Sequence, residues 1–208
     1  MIKLKKLLEL DEIKYSGKIK PKHKKRMEKV LKLTHEVQVR HNPPPLNSSR
    51  ETRKELEWLK HYNEGQVDED MVKKGDNVKT AFREYCEENF LDYPKNYIKE
   101  LIKESGKIIY QLKYKYNRPR PKQVAEFLEM DFPTTTLESM HTPSYPSGHS
   151  TQGIFIGRVL SKMYPEHEKQ LMEIGKMISN SRLMARAHYP SDSKFGEELG
   201  ELLFRNLK

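Results

Sequence analysis

The chain has 208 residues, with 39 Lys and Arg against 30 Asp and Glu for a formal net charge of +9; that length suits one domain with an appendage rather than two full-size units. Leu, Ile, Val and Phe total 47, about 23% of the chain, above the roughly 20% below which a highly charged chain stays disordered. A single cysteine, Cys86, excludes an internal disulfide or a multi-cysteine metal site, and its expected state is a small buried apolar residue.

Residues 1–40 hold 13 Lys and Arg and 5 Asp and Glu, which leaves the rest of the chain with a net charge of only +1. They read as a basic, charged N-terminal extension, helical or mobile, densest at Pro21–Arg26 (PKHKKR). Such a run is a solvated face, or a contact for nucleic acid or an anionic membrane surface. Lys5, Lys6, Glu9, Asp11 and Glu12 interrupt the apolar stretch that a secretory signal requires. No stretch approaches the about 20 apolar residues of a membrane span, so a cytoplasmic location is expected. After His41 and Asn42, three prolines forbid helix, and the Asn47–Ser49 cluster offers N-caps for a helix carrying Leu56, Trp58 and Leu59. Residues 61–75 are polar and read as a connection. Helical spacing resumes over Val78–Phe90 and over Tyr97–Tyr116, where Ile98, Leu101, Ile102, Ile108, Ile109 and Leu112 make an apolar stripe. Pro119 and Pro121 must leave that helix. Pro133–Pro146 reads as a long loop, and loops of that length in compact domains are commonly functional. Helices are expected from Ser147 to Tyr164, from Glu166 to Ala187 and from Ser191 to Leu207. No segment alternates with a period of two, so residues 41–208 read as one all-α, single-domain helical bundle.

Three segments concentrate residue types that a bundle does not need for packing. Lys113 and Arg120 bracket a helix end and a proline-held turn within KYKYNRPRP. Pro146-Ser147-Gly148-His149 stands where a long loop meets a helix start, whose outward N–H groups and dipole suit a phosphate-like anion; Gly148 allows close approach, Ser147 can cap or donate, and His149 beside the seat suits general acid work. Ser181-Arg182 is followed by His188 and Asp192, a pair in which a carboxylate can hold one imidazole nitrogen and leave the other available as a nucleophile.

The order Lys-x6-Arg-Pro, Pro-Ser-Gly-His, Ser-Arg-x5-His-x3-Asp resembles the signature of the type 2 phosphatidic acid phosphatase superfamily, which also holds the class A bacterial acid phosphatases and the vanadium haloperoxidases. Pro43–Leu56 and the sequence AHYPSD at 187–192 extend the resemblance, which covers roughly residues 40–208. It implies a helical bundle in which the three motifs converge on one phosphate. Lys113, Arg120 and Arg182 would then clamp its oxygens, with Ser147 and the Gly148 N–H adding hydrogen bonds. His188 would attack phosphorus to give a phosphohistidine, Asp192 would orient it, and His149 would protonate the leaving oxygen. The expected activity is that of a soluble, metal-independent, acid phosphatase-like phosphomonoester hydrolase, inhibited by vanadate, with no cofactor and a phosphorylated small molecule as substrate. Specificity is expected in the loop Phe132–Tyr145 and around Lys113. Other readings are a phosphatase acting on lipid phosphates at a membrane surface through residues 1–40, a vanadate-dependent haloperoxidase using vanadate in the same pocket, and a basic nucleic-acid module. The intact motif residues and the lack of interleaved aromatic residues weigh against the last.

Overall fold

A computed structural model describes residues 4–40, 43–62, 66–134 and 137–208. Residues 1–3 of the extension, His41 and Asn42, residues 63–65 of the expected connection and Thr135–Thr136 of the long loop lie outside the described residues. The described chain is helical, with no strand beyond a lone bridge between Thr34 and Leu207.

Five helices build the main core: α5 (Val78–Glu88), α6 (Lys95–Tyr116), α8 (Gly148–Met163), α9 (Glu168–Met184) and α10 (Pro190–Arg205). The most enclosed is α8, where Ile154, Phe155, Ile156, Val159 and Leu160 are all buried. A helix apolar on nearly every side belongs in the middle of a bundle, and α8 lies between α9 and α10. The approach of α10 to the start of α8 requires Gly196, because a Cβ there would stand 2.6 Å from the Ser147 carbonyl oxygen. Close packing at this point joins two of the three motifs: the Ser147 N–H donates to the Asp192 carbonyl at 3.0 Å. A second cluster gathers Leu10 of α1 (Leu4–Glu12), Leu56 and Leu59 of α3 (Arg50–His61), Val124 of α7 (Pro121–Phe127), and Tyr189. Cys86 is buried in the main core, as expected for a small apolar residue.

Two elements correct the sequence reading. Where a connection was expected, α4 (Glu69–Gly75) forms, capped by Asp68, whose carboxylate accepts from Met71 N at 2.9 Å. Its one buried large apolar side chain, Val72, packs with Met184, Ala185 and Ala187, too few apolar positions to show a period. Beyond α6, which stops at Asn117 with φ 49°, Pro121 begins a second helix that the sequence reading did not include. It sits in the first turn of α7, where proline lacks only an N–H that would be unpaired anyway.

Residues 4–40, read as an extension, form α1, which joins the second cluster, and α2 (Pro21–Met27) with extended backbone, which are fastened along α6. Tyr15 exchanges hydrogen bonds with Asn117 (3.1 and 3.3 Å). His23 is buried, stacked on Tyr110 with ring centroids 4.2 Å apart and bonded through Nδ1 to Tyr114 Oη at 2.7 Å. Farther along, the buried carboxylate of Glu104 accepts the N–H groups of Lys32, Leu33 and Thr34 at 2.7–3.2 Å. Three unpaired N–H groups are satisfied by one charged acceptor, a strong anchor for irregular chain.

Candidate active site

His188 and Asp192 meet through a turn that becomes a helix. Tyr189 caps α10, Pro190 follows, and Asp192 stands at the third helical position, where its Oδ2 accepts the Tyr189 N–H at 3.0 Å. A carboxylate in a first helical turn is also favoured by the dipole. His188 Nδ1 lies 3.4 Å from the same Oδ2, and His188 Nε2 lies 2.9 Å from Arg120 Nη1. A guanidinium can only donate, so Nε2 is the acceptor and Nδ1 carries the proton, facing Asp192. The lone pair of His188 is thereby directed at the Arg120 guanidinium. Burial first, then Arg120, holds His188 well below the usual histidine range and so neutral. Burial would raise the Asp192 carboxyl, but Arg118 and His188 outweigh it and hold Asp192 ionised, well below the usual carboxylate range.

The cations are reached from three directions. Lys113, on the last turn of α6, donates to the Pro143 and Ser144 carbonyls at 2.5 and 3.1 Å, and its burial, followed by repulsion from Arg120, lowers its pKa well below the ordinary lysine value. Arg120 donates through Nε to Thr142 O (2.8 Å) and through Nη1 to Ala187 O (2.7 Å), tying the long loop to the His188 turn. Burial lowers its pKa to about 10, leaving it charged at neutral pH. Arg182, on α9 and wholly buried, donates to Asp76 Oδ1 at 2.7 Å and to Val72 O at 3.0 Å.

Ser147 caps α8, and its Oγ receives bonds from the backbone N–H and the hydroxyl of Ser150, at 3.3 and 2.8 Å; Ser179 in turn donates to Ser150 at 2.8 Å. A Cβ on Gly148 would meet only Ile109 Cγ2 at 3.5 Å, so the space in front of the helix start belongs to the cavity rather than to packed side chains. His149 Nε2 lies 3.1 Å from the Asp76 carbonyl and 3.8 Å from its carboxylate. Burial and then Arg182 lower the His149 pKa to about 4 despite the pull of Asp76.

A cavity of about 310 Å³ opens over this floor, and Lys113, Arg120, Gly148, His149 and His188 line it. The other three residues named from the sequence stand behind it: Asp192 backs His188, Ser147 forms the helix cap, and Arg182 reaches the cavity's edge through Asp76.

Several contributors were not evident from the sequence. Arg118, buried against the Tyr189 ring at 3.8 Å, donates to Asp192 Oδ1 at 2.6 Å, to Ser191 Oγ at 2.8 Å and to Glu55 at 3.1 Å. Ser144 donates a short hydrogen bond to Asp192 Oδ2. Arg118 had one signal, its place beside Arg120 in the proline-held RPRP turn; Asp76 had none, since it meets Arg182 across 106 positions. The same cavity is also walled by Lys20, Lys22, His23 and Arg26, from the segment read as an extension.

The family model described as the PAP2 superfamily matches residues 101–205, half of the chain. An acid phosphatase from Zymomonas mobilis subsp. mobilis is 30% identical over 105 residues, covering 49% of this chain and 38% of that protein. A non-specific acid phosphatase from Salmonella typhimurium is 37% identical over 65 residues, 31% of this chain and 26% of that one; the chain thus matches well under half the length of either relative. Among solved structures, a transmembrane PAP2-type phosphatidylglycerolphosphate phosphatase from Bacillus subtilis aligns at a TM-score of 0.41 and 20% identity over 76% of this chain and 75% of that one, a likeness too loose to bear on substrate or location. No helix among the described residues is long and apolar enough to cross a membrane. The family match spans all three motifs, from Lys113 to Asp192, and on it the chain belongs to the PAP2 superfamily.

Proposed function

We propose that the chain hydrolyses phosphomonoesters through a phosphohistidine on His188, without a metal. The observation that carries this reading is the neutral, buried His188, its Nε2 lone pair facing Arg120, its other nitrogen held toward an ionised Asp192, and Arg120 and Lys113 lining the same cavity. Arg120 Nη1 now covers Nε2; a phosphate oxygen bound to that guanidinium would uncover it. Nε2 then attacks phosphorus in line, the N–P bond forms, and the ester P–O bond breaks. The proton of His149 goes to the leaving oxygen. In the second half, His149, now neutral, takes a proton from water, whose oxygen attacks phosphorus as the N–P bond breaks, releasing inorganic phosphate. Charge developing on the phosphoryl oxygens is met by Lys113, Arg120 and the Gly148 N–H, with Arg182 and Ser147 behind them. Preorganised donors of this kind are the main source of phosphoryl-transfer catalysis.

The pKa of His149, lowered to about 4 in the free protein, adds a condition. The bound phosphate dianion supplies the negative charge that favours imidazolium, so substrate binding takes up a proton. The cavity wall suits water-soluble esters, since Ile109 is the one aliphatic side chain among the described lining residues. The purified protein should release phosphate from an aryl phosphate in excess chelator, with inhibition by vanadate. Loss of turnover on adding chelator, restored by a metal, would overturn the metal-independent step.

A further inference from the structure

The cavity holds more positive charge than one phosphate requires. Besides Lys113 and Arg120 on the floor, Lys20, Lys22 and Arg26 line its wall, against a single lining carboxylate, Asp76, which is already paired with Arg182. None of the three wall cations has a carboxylate within ion-pair distance among the described residues, whereas Lys29, a few residues on, is paired with Glu100 at 2.5 Å.

The wall is also held in place. Stacking of the buried His23 on Tyr110, and its bond to Tyr114, fix α2 one turn of α6 away from Lys113. Arg26 lies over Tyr110, its guanidinium carbon 5.7 Å from the ring centre, in a gap kept open by Gly106; a Cβ there would stand 3.2 Å from Arg26 Cδ. Glycine inside a helix costs up to about 1 kcal/mol relative to alanine, and here it makes room for this arginine. Burial, followed by the charges of Lys22, Arg26 and Lys20, lowers the pKa of His23 to about 4. His23 therefore serves as a neutral platform, and Lys20, Lys22 and Arg26 supply the charge. The cavity's 310 Å³ amounts to roughly ten waters at about 30 Å³ each, more than one phosphate group fills.

We infer that Lys20, Lys22 and Arg26 form a second anion seat, and that the preferred substrates are phosphomonoesters whose leaving group carries another phosphate. The inference rests on the phosphatase reading of the floor. Binding energy from the non-reacting phosphate would orient the scissile one, with the two phosphates held by different residues of one cavity.

The test compares α,ω-alkanediol bisphosphates of three, four and six carbons with the corresponding alkyl monophosphates. At low salt, kcat/KM per phosphate for the best-fitting bisphosphate should exceed that of its monophosphate by about tenfold, the worth of two partly exposed charge contacts. In the double variant Lys20→Ala/Lys22→Ala that ratio should fall to within about twofold of one. Lys24→Ala/Lys25→Ala removes the same charge from the same helix, away from the cavity, and should keep the ratio. A wild-type ratio near one, or an equal fall in both double variants, overturns the seat. So does a ratio near one together with binding to phosphatidylglycerol vesicles that is lost in Lys20→Ala/Lys22→Ala, which would make the wall a lipid-surface contact. Calorimetric binding of the non-hydrolysable alkane bisphosphonates and alkylphosphonates reads the seat without turnover. A tenfold affinity preference with no hydrolysis of any ester would leave the seat standing and sink the phosphatase reading instead.

Discussion

The floor and the wall of the cavity handle charge in opposite ways. At the floor and directly behind it, Arg120, Arg118, Arg182 and Asp192 are buried, and each is held by several partners before any ligand arrives. On the wall, Lys20 and Lys22 are exposed and have no ion-pair partner among the described residues. Buried charges must be paired because desolvation is expensive, and once paired they are fixed in position; exposed charges are cheap to place and easily screened. The floor is therefore suited to stabilising a transition state, and the wall to selecting what enters.

The sharpest way to break this contrast is to unpair the floor. Arg118→Ala leaves the Asp192 carboxylate buried without its closest cation, and removing one member of a buried pair typically destabilises by about 3–5 kcal/mol, read as a shift of the urea midpoint. Because Arg118 acts through Asp192, the variant should also raise the Asp192 pKa and move the acid limb of the pH profile of kcat/KM upward, which simple loss of packing would not do. Arg120→Lys keeps the charge but loses the several directed donors that reach Thr142, Ala187 and His188. It should lower kcat/KM about 10²- to 10³-fold, nearly as much as Arg120→Ala, with a melting temperature measured alongside.

Acid sharpens the same contrast more gently. His149 and His23 each have a pKa lowered to about 4 in the folded protein, both chiefly through burial, against about 6.5 when unfolded. Between those values the unfolded chain binds protons that the folded chain refuses, so stability should be full above pH 6.5 and be lost as the pH falls toward 4. The slope is at most about 1.36 kcal/mol per pH unit for each group, and His23→Asn should flatten it. The smallest effect is expected from salt. Raising ionic strength should lower kcat/KM for a bisphosphate by a few fold more than for a monophosphate, because screening reaches the exposed wall before the buried floor.

What the sequence disclosed follows from distance along the chain. Gly148 and His149 are adjacent, and His188 and Asp192 are four apart, so local geometry could be read directly; the apolar stripe of α6 gave a long helix to within two residues at its start. Asp76 and Glu55, by contrast, reach their arginine partners across 106 and 63 positions, and only folding brings them together. Two helices of seven residues each, α4 and α7, were too short to display a period. Least legible of all were the contacts of residues 4–40, read as an extension, helical or mobile. Their charge pattern resembled that of a solvated arm, yet His23, Tyr15 and the N–H groups of residues 32–34 find partners on α6 that no local pattern announces.

The central claim is covalent chemistry at His188, and rapid quenching of the enzyme with a 32P-labelled phosphomonoester tests it most directly. The account predicts an acid-labile, base-stable phosphoryl label that maps to His188 and disappears in His188→Ala together with turnover. Full activity in His188→Ala, or a label on any other residue, would contradict it.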